Sequence, residues 1–98
     1  MKKFQYSNEG YSPIIPEEIR SIIKHQFGLL DEDISSDYTW DNMGIDSLDI
    51  VELTMEVEKV YEISISDLEI EKCYTLGDFV KLVEMTRNVR NTLNKYKR

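Results

Sequence analysis

A single cysteine, Cys73, stands in the whole chain, so no internal disulfide can hold the fold and stability must come from packing. A lone Cys beside apolar neighbours reads as a small buried hydrophobe, and no local signature makes it a nucleophile. His25 is the only histidine. It lies between Lys24 and Gln26 on the polar side of a helical pattern and reads as solvated. The sequence therefore holds no nucleophile–base–orienter set and no metal-ligand spacing of Cys and His, and its four glycines form no phosphate-cradling loop. No catalytic residue and no metal ligand is expected. Asp31, Asp33, Ser35 and Asp37 fall at positions 1, 3, 5 and 7 of a possible calcium loop. Ser36 stands at position 6 where Gly is required, and Asn42 at position 12 in place of a bidentate Glu. Long apolar runs are also missing, so no membrane insertion is expected. Met1-Lys2-Lys3-Phe4 is followed by Gln5, Ser7, Asn8 and Glu9 where a signal peptide needs apolar residues, and a cytoplasmic address is the expectation.

Positive charge is scarce where negative charge is dense. Residues 31–71 hold fourteen of the nineteen acids and one base, Lys59. Residues 86–98 hold five bases (Arg87, Arg90, Lys95, Lys97 and Arg98) and no acid. A net charge of −7 centred on the middle of the chain repels phosphate backbones, so no nucleic-acid partner is expected. The same charge attracts basic protein surfaces and speeds encounter with them.

The 98 residues fit one domain, expected to be all-α and monomeric. Residues 1–12 form a polar lead expected to be flexible, residues 13–85 the domain, and residues 86–98 a basic tail or helix extension. Pro16 suits a first helical position, with Glu17 and Glu18 in the first turn. Ile19, Ile22, Ile23 and Phe27 make a stripe at helical spacing, and Gly28 is a natural stop. Residues 29–45 are rich in turn formers, with Leu30, Ile34, Tyr38, Trp40 and Met43 expected to pin a long loop to the core. A second helix is expected from about Asp46 to Tyr61, with Ile50, Leu53, Thr54, Val57 and Tyr61 facing inward. Residues 62–65 alternate but have no strand to pair with and read as a connector. Ser66 and Glu69 have capping-box spacing for a short third helix ending near Lys72. Thr75 and Asp78 open a fourth, with Leu76, Phe79, Val80 and Val83 inward. The expected architecture is a four-helix bundle with a long loop between helices one and two and a short third helix.

The residues with chemical promise lie where the long loop meets the second helix. Met43-Gly44-Ile45-Asp46-Ser47-Leu48-Asp49 places Ser47 at a first helical position, with Asp46 as N-cap and Asp49 three residues on. The hydroxyl then sits at an exposed helix N-terminus, where unpaired N–H groups and the positive dipole end favour a phosphate. Further along the helix, Asp49, Glu52 and Glu56 share a stripe beside Leu48, Val51 and Met55. Exposed apolar residues edged by acids read as a partner surface with a charged rim, and Ile65 and Ile70 are expected to join it.

From Trp40 to Val83 the sequence resembles the acyl carrier protein family. Asp46-Ser47-Leu48, Asp49-Ile50-Val51-Glu52-Leu53, Glu62-Ile63-Ser64-Ile65-Ser66-Asp67 and Thr75-Leu76-Gly77-Asp78 are similar to that family's motifs in the same order and spacing. Helix one and its Gly28 exit extend the resemblance to about residues 14–85. It implies that Ser47, flanked by Asp46 and Leu48, receives 4'-phosphopantetheine from coenzyme A through a phosphopantetheinyl transferase. It also implies that the arm's thiol carries acyl groups as thioesters in fatty-acid or polyketide-like biosynthesis. The implied partners are that transferase and acyl-transferring and chain-elongating enzymes with basic docking patches. The cofactor would bring the reactive group, which accounts for a domain without catalytic residues.

Three other readings stay open: a peptidyl carrier, a D-alanyl carrier, and a helical interaction module that is never modified. Gly44-Ile45-Asp46 in place of a Gly-Gly pair, and the acidic helix that follows, favour the fatty-acid or polyketide type. Lys59, which interrupts the acidic helix, and the two polar tails depart from the family's usual pattern and point toward a specialised carrier.

Overall fold

The computed structural model describes residues 13–96. The N-terminal lead, 1–12, and the last two residues, Lys97 and Arg98, lie outside the described residues. The chain forms α1 (Glu17–Phe27), α2 (Ser47–Tyr61), α3 (Asp67–Ile70) and α4 (Leu76–Tyr96). Two short 3-10 turns, Asp31–Asp33 and Asp41–Met43, interrupt the long loop. No strand occurs among the described residues; one isolated bridge joins Thr39 to Thr75. No helix among them is long and apolar enough to cross a membrane.

The helices begin and end for local reasons. Pro16 stands one residue earlier than expected, as the N-cap of α1 with extended ψ of 144°. Its carbonyl accepts from the Arg20 N–H at 3.0 Å. Gly28 closes α1 in the left-handed conformation. α3 stops at Ile70, short of Lys72, and the expected Ser66–Glu69 box is half formed. Ser66 Oγ accepts from the Leu68 N–H at 3.2 Å, but Glu69 turns to Lys72 Nζ at 3.3 Å instead of reaching back. At the head of α4, the Asp78 N–H donates to Thr75 Oγ1, and the Asp78 carboxylate accepts from the Tyr74 and Thr75 N–H groups.

The core gathers one stripe from each long helix: Ile19 and Ile23 from α1, Leu53 and Val57 from α2, and Leu76, Phe79, Val80 and Val83 from α4. The long loop is pinned by Ile34, Trp40 and Met43 as expected, and also by Ile45. Leu30 and Tyr38 do not take part. They stay exposed; Asp31, next to Leu30, ties the loop to α1 through Lys24 at 3.1 Å and Arg20 at 3.5 Å, and backbone hydrogen bonds around Tyr38 tie it to the head of α4. Leu76 N–H donates to the Tyr38 carbonyl at 3.0 Å, and Gly77 N–H donates to the Ser36 carbonyl at 2.8 Å.

Gly77 is needed for this attachment. A Cβ there would stand 2.8 Å from the Ser36 carbonyl oxygen, a backbone atom that can yield only by breaking the contact. Gly77→Ala is therefore expected to destabilise by about 1–3 kcal/mol, the usual cost of overpacking. It gains helix propensity by at most ~1 kcal/mol, which is too little to offset the clash. Urea denaturation checks this; an unchanged midpoint would show that the loop can move away freely.

α4 carries the basic region onward as helix. Arg87 lies over the Tyr61 ring at 4.2 Å, Tyr61 Oη donates to Glu18 at 3.2 Å, and Arg90 reaches Glu62 at 3.9 Å. These contacts join the first turn of α1, the end of α2 and the second half of α4.

Candidate functional site

The approach to α2 is a sequence of local constraints. Trp40 donates its indole N–H to the Cys73 carbonyl at 3.0 Å and meets Phe79 edge-on, with ring centroids 5.6 Å apart. The turn that follows ends at Gly44, with φ of 72°, a conformation glycine adopts without steric cost. Ile45 then drops into the core, 2% exposed, and its N–H donates to the Trp40 carbonyl at 2.9 Å. With Trp40 and Ile45 both fixed, the next three residues, Asp46, Ser47 and Leu48, are held at the surface.

Asp46 caps the helix. Its Oδ1 accepts from the Asp49 N–H at 2.9 Å, and the Asp46 N–H donates to Asp49 Oδ2 at 3.1 Å. This is a reciprocal capping box with Asp where Glu is usual. Ser47 is consequently the first helical residue, and its hydroxyl is exposed. Both carboxylates lie at the positive end of the helix dipole, where they stabilise the helix start.

An open groove of about 560 Å³ runs from Ser47 between α2 and α3. Ile50, Val51 and Met55 form one wall, and Ile70 and Cys73 stand opposite. Thr54 lines it too, with its hydroxyl satisfied by donation to the Ile50 carbonyl at 2.8 Å. Burial pushes the Cys73 thiol up to about 11, with the Asp78 and Glu69 carboxylates adding to the shift. At neutral pH that thiol stays protonated and slow to react. A covalent pantetheine arm requires an exposed hydroxyl with a clear path away from it, and Ser47 with this groove meets both requirements.

The adjoining face of α2 carries Leu48, Val51 and Met55 at 67%, 52% and 57% exposed. Glu52 beside them is exposed, and Asp49 and Glu56 are half-buried. Glu56 is engaged by Lys59 at 3.3 Å. The structure separates the two isoleucines expected to join this face. Ile70 is half-buried and lines the groove. Ile65 does not belong there: it is 7% exposed, within the core. Its N–H donates to the Glu58 carboxylate at 2.8 Å, which turns the connector inward. The groove also includes Glu58, Asp67, Glu71 and Cys73, which the sequence reading did not select. Asp67 and Glu71, one turn apart on either side of Ile70, were the available signal.

Two comparisons bear on the site. Residues 17–83 match the family model described as a phosphopantetheine attachment site. The fold is similar to the crystal structure of an acyl carrier protein from Thermotoga maritima, at 26% identity and a TM-score of 0.64, covering 70% of this chain and 81% of that one.

Proposed function

This chain belongs to the phosphopantetheine attachment family, and we propose that Ser47 is the residue modified and that its cargo is an acyl intermediate of fatty-acid or polyketide-like biosynthesis. The carrier role and the covalent 4'-phosphopantetheine come with the family. Such a chain carries and does not catalyse. The bound arm supplies a thiol that holds acyl groups as thioesters. The chain's own residues do the rest. Asp46 and Asp49 hold the helix start, Ile45 and Trp40 anchor the approach, and Ser47 Oγ is presented to solvent. The observation that carries the assignment is this exposed first-turn hydroxyl opening onto the groove. The acidic α2 and the lack of a Gly-Gly pair before Asp46 favour the acyl over the peptidyl class. Mass spectrometry of acyl species co-purified with the chain tests the pathway; aminoacyl cargo would overturn it.

We further assign the α2 face to docking. Leu48, Val51 and Met55 provide an apolar centre, and Asp49, Glu52 and Glu56 an acidic rim suited to basic patches on the transferase and on acyl-transferring and chain-elongating enzymes. Glu52→Lys replaces attraction with repulsion at that rim. The transferase rate at low salt is expected to fall roughly tenfold, within the range that electrostatic steering controls. The deficit should shrink as ionic strength rises, because exposed charges are screened over ~10 Å at 0.1 M salt. Circular dichroism should be unchanged. Equal rates for both proteins at low salt would remove this face from transferase docking.

A further inference from the structure

The groove between α2 and α3 carries two acids that the rest of the described fold does not use. Asp67 and Glu71 line it from the α3 side, one turn apart on either side of Ile70, and both are exposed. Like charges at this spacing repel each other. Among the described residues neither side chain has a hydrogen bond or an ion-pair partner. The neighbouring bases are engaged elsewhere, Lys72 by Glu69 and Lys59 by Glu56, each at 3.3 Å. The third acid of the groove, Glu58, already accepts from the Ile65 N–H. Opposite α3 stand Val51 and Met55, both more than half exposed. The groove fits a segment that sets apolar side chains next to positive charge.

Residues 1–12 are such a segment. They hold Lys2, Lys3, Phe4, Tyr6 and Tyr11, with Glu9 as the one acid. They also join the described fold close to the groove. Pro13 lies against the head of α4, where its Cγ would stand 3.4 Å from a Cβ on Gly77. Cys73, which lines the groove, is four residues before Gly77, a separation of at most ~14 Å. Along α2 the groove runs from Ser47 to Glu58, about 16 Å of helix. Twelve residues span up to ~40 Å, so the segment reaches every part of it.

We propose that residues 1–12 dock in this groove of their own chain, with Phe4 and Tyr6 against Val51, Met55 and Ile70, and with Lys2 and Lys3 meeting Asp67 and Glu71. A short tether holds a segment at an effective concentration on the order of 1 mM. An intrinsic affinity of only ~1 mM then keeps the groove filled about half the time, and in the other half the path from Ser47 is clear. A partner that takes up Val51 and Met55 must displace the segment, so partner docking and release are coupled. That consequence rests on the docking face proposed above; the contact itself does not, and it needs no modification of Ser47.

Amide NMR of the unmodified full chain at low salt tests it. Lys2→Glu with Lys3→Glu, and separately Phe4→Ser with Tyr6→Ser, should each weaken the contact about tenfold and lower the filled fraction to about one tenth. The signals of Val51, Met55, Ile70 and Glu71 should shift in both variants, although the substitutions lie far from them in sequence. Glu71→Lys should also weaken the contact, and combining it with the two Lys→Glu changes should recover part of the loss. Raising the salt should move the wild-type signals toward those of the Lys→Glu variant, because the attraction is screened. Groove signals indifferent to both sets of changes overturn the proposal. Shifts that fade on dilution also overturn it, since they would place the segment of a second copy in the groove.

Discussion

Ser47→Ala is expected to abolish uptake of phosphopantetheine from coenzyme A, with no detectable residual modification. The argument rests on access. Ser47 Oγ is exposed at the first position of a capped helix, with an open groove beside it. Thr54, the neighbouring hydroxyl on the same helix, is buried and donates to the Ile50 carbonyl. Ser66 is occupied in capping α3. The substitution removes no buried contact and no capping hydrogen bond, since the cap belongs to Asp46 and Asp49. Stability should therefore stay within about 0.5 kcal/mol of wild type, as for ordinary surface changes. Intact mass after incubation with coenzyme A and a broad-specificity transferase reads the first outcome, and thermal melting reads the second. A thiol reagent at neutral pH offers a cross-check: the buried, protonated Cys73 should react slowly, so fast labelling reports the arm. Modification that persists in Ser47→Ala would move the attachment to another residue.

The largest effect on stability is expected from Leu53→Ala, at about 2–5 kcal/mol, the range for deleting a buried Leu side chain and leaving a cavity. Leu53 is fully buried within the hydrophobic core. A small domain has a total stability of roughly 5–15 kcal/mol, so this one change removes a large share. Met55, two residues on, has the opposite prognosis. It faces solvent beside the groove, and Met55→Ala should cost less than about 1 kcal/mol while weakening docking of partner enzymes. Urea denaturation of both variants decides the phase of α2. If Met55→Ala destabilises as much as Leu53→Ala, the assignment of its faces fails.

Most of α2 is legible in the sequence. Its start depends on two side chains and one glycine within six residues, and its faces follow from a 3.6-residue period. Both are local properties. Its end was less clear, because neither Gly nor Asn marks it. Glu62 takes the left-handed conformation there, with φ of 57°, at a cost of about 1–2 kcal/mol for a residue with a Cβ. The gain that offsets it is not local: Ile63 and Ile65 enter the core, and Glu58 holds the connector by the Ile65 N–H. Alternation in Glu62-Ile63-Ser64-Ile65 is compatible with an inward or an outward Ile65. Only the packed bundle selects the inward one.

By itself the sequence determined the helix order, the inward stripes, the capped first turn that presents Ser47, and the acidic row beside Leu48, Val51 and Met55. These follow from hydrogen bonds between residues three or four apart and from helical periodicity, which need no knowledge of distant neighbours. Tertiary structure alone decided the burial of Ile65, the exposure of Leu30 and Tyr38, and the groove that brings Cys73 and Ile70 opposite α2. It also decided why residue 77 must be glycine, since its φ is ordinary and only the Ser36 carbonyl excludes a Cβ. The contacts of Arg87 with Tyr61 and of Arg90 with Glu62 across the bundle are of the same kind. Each of these depends on where the chain returns in space, and residues far apart in sequence carry no local sign of meeting.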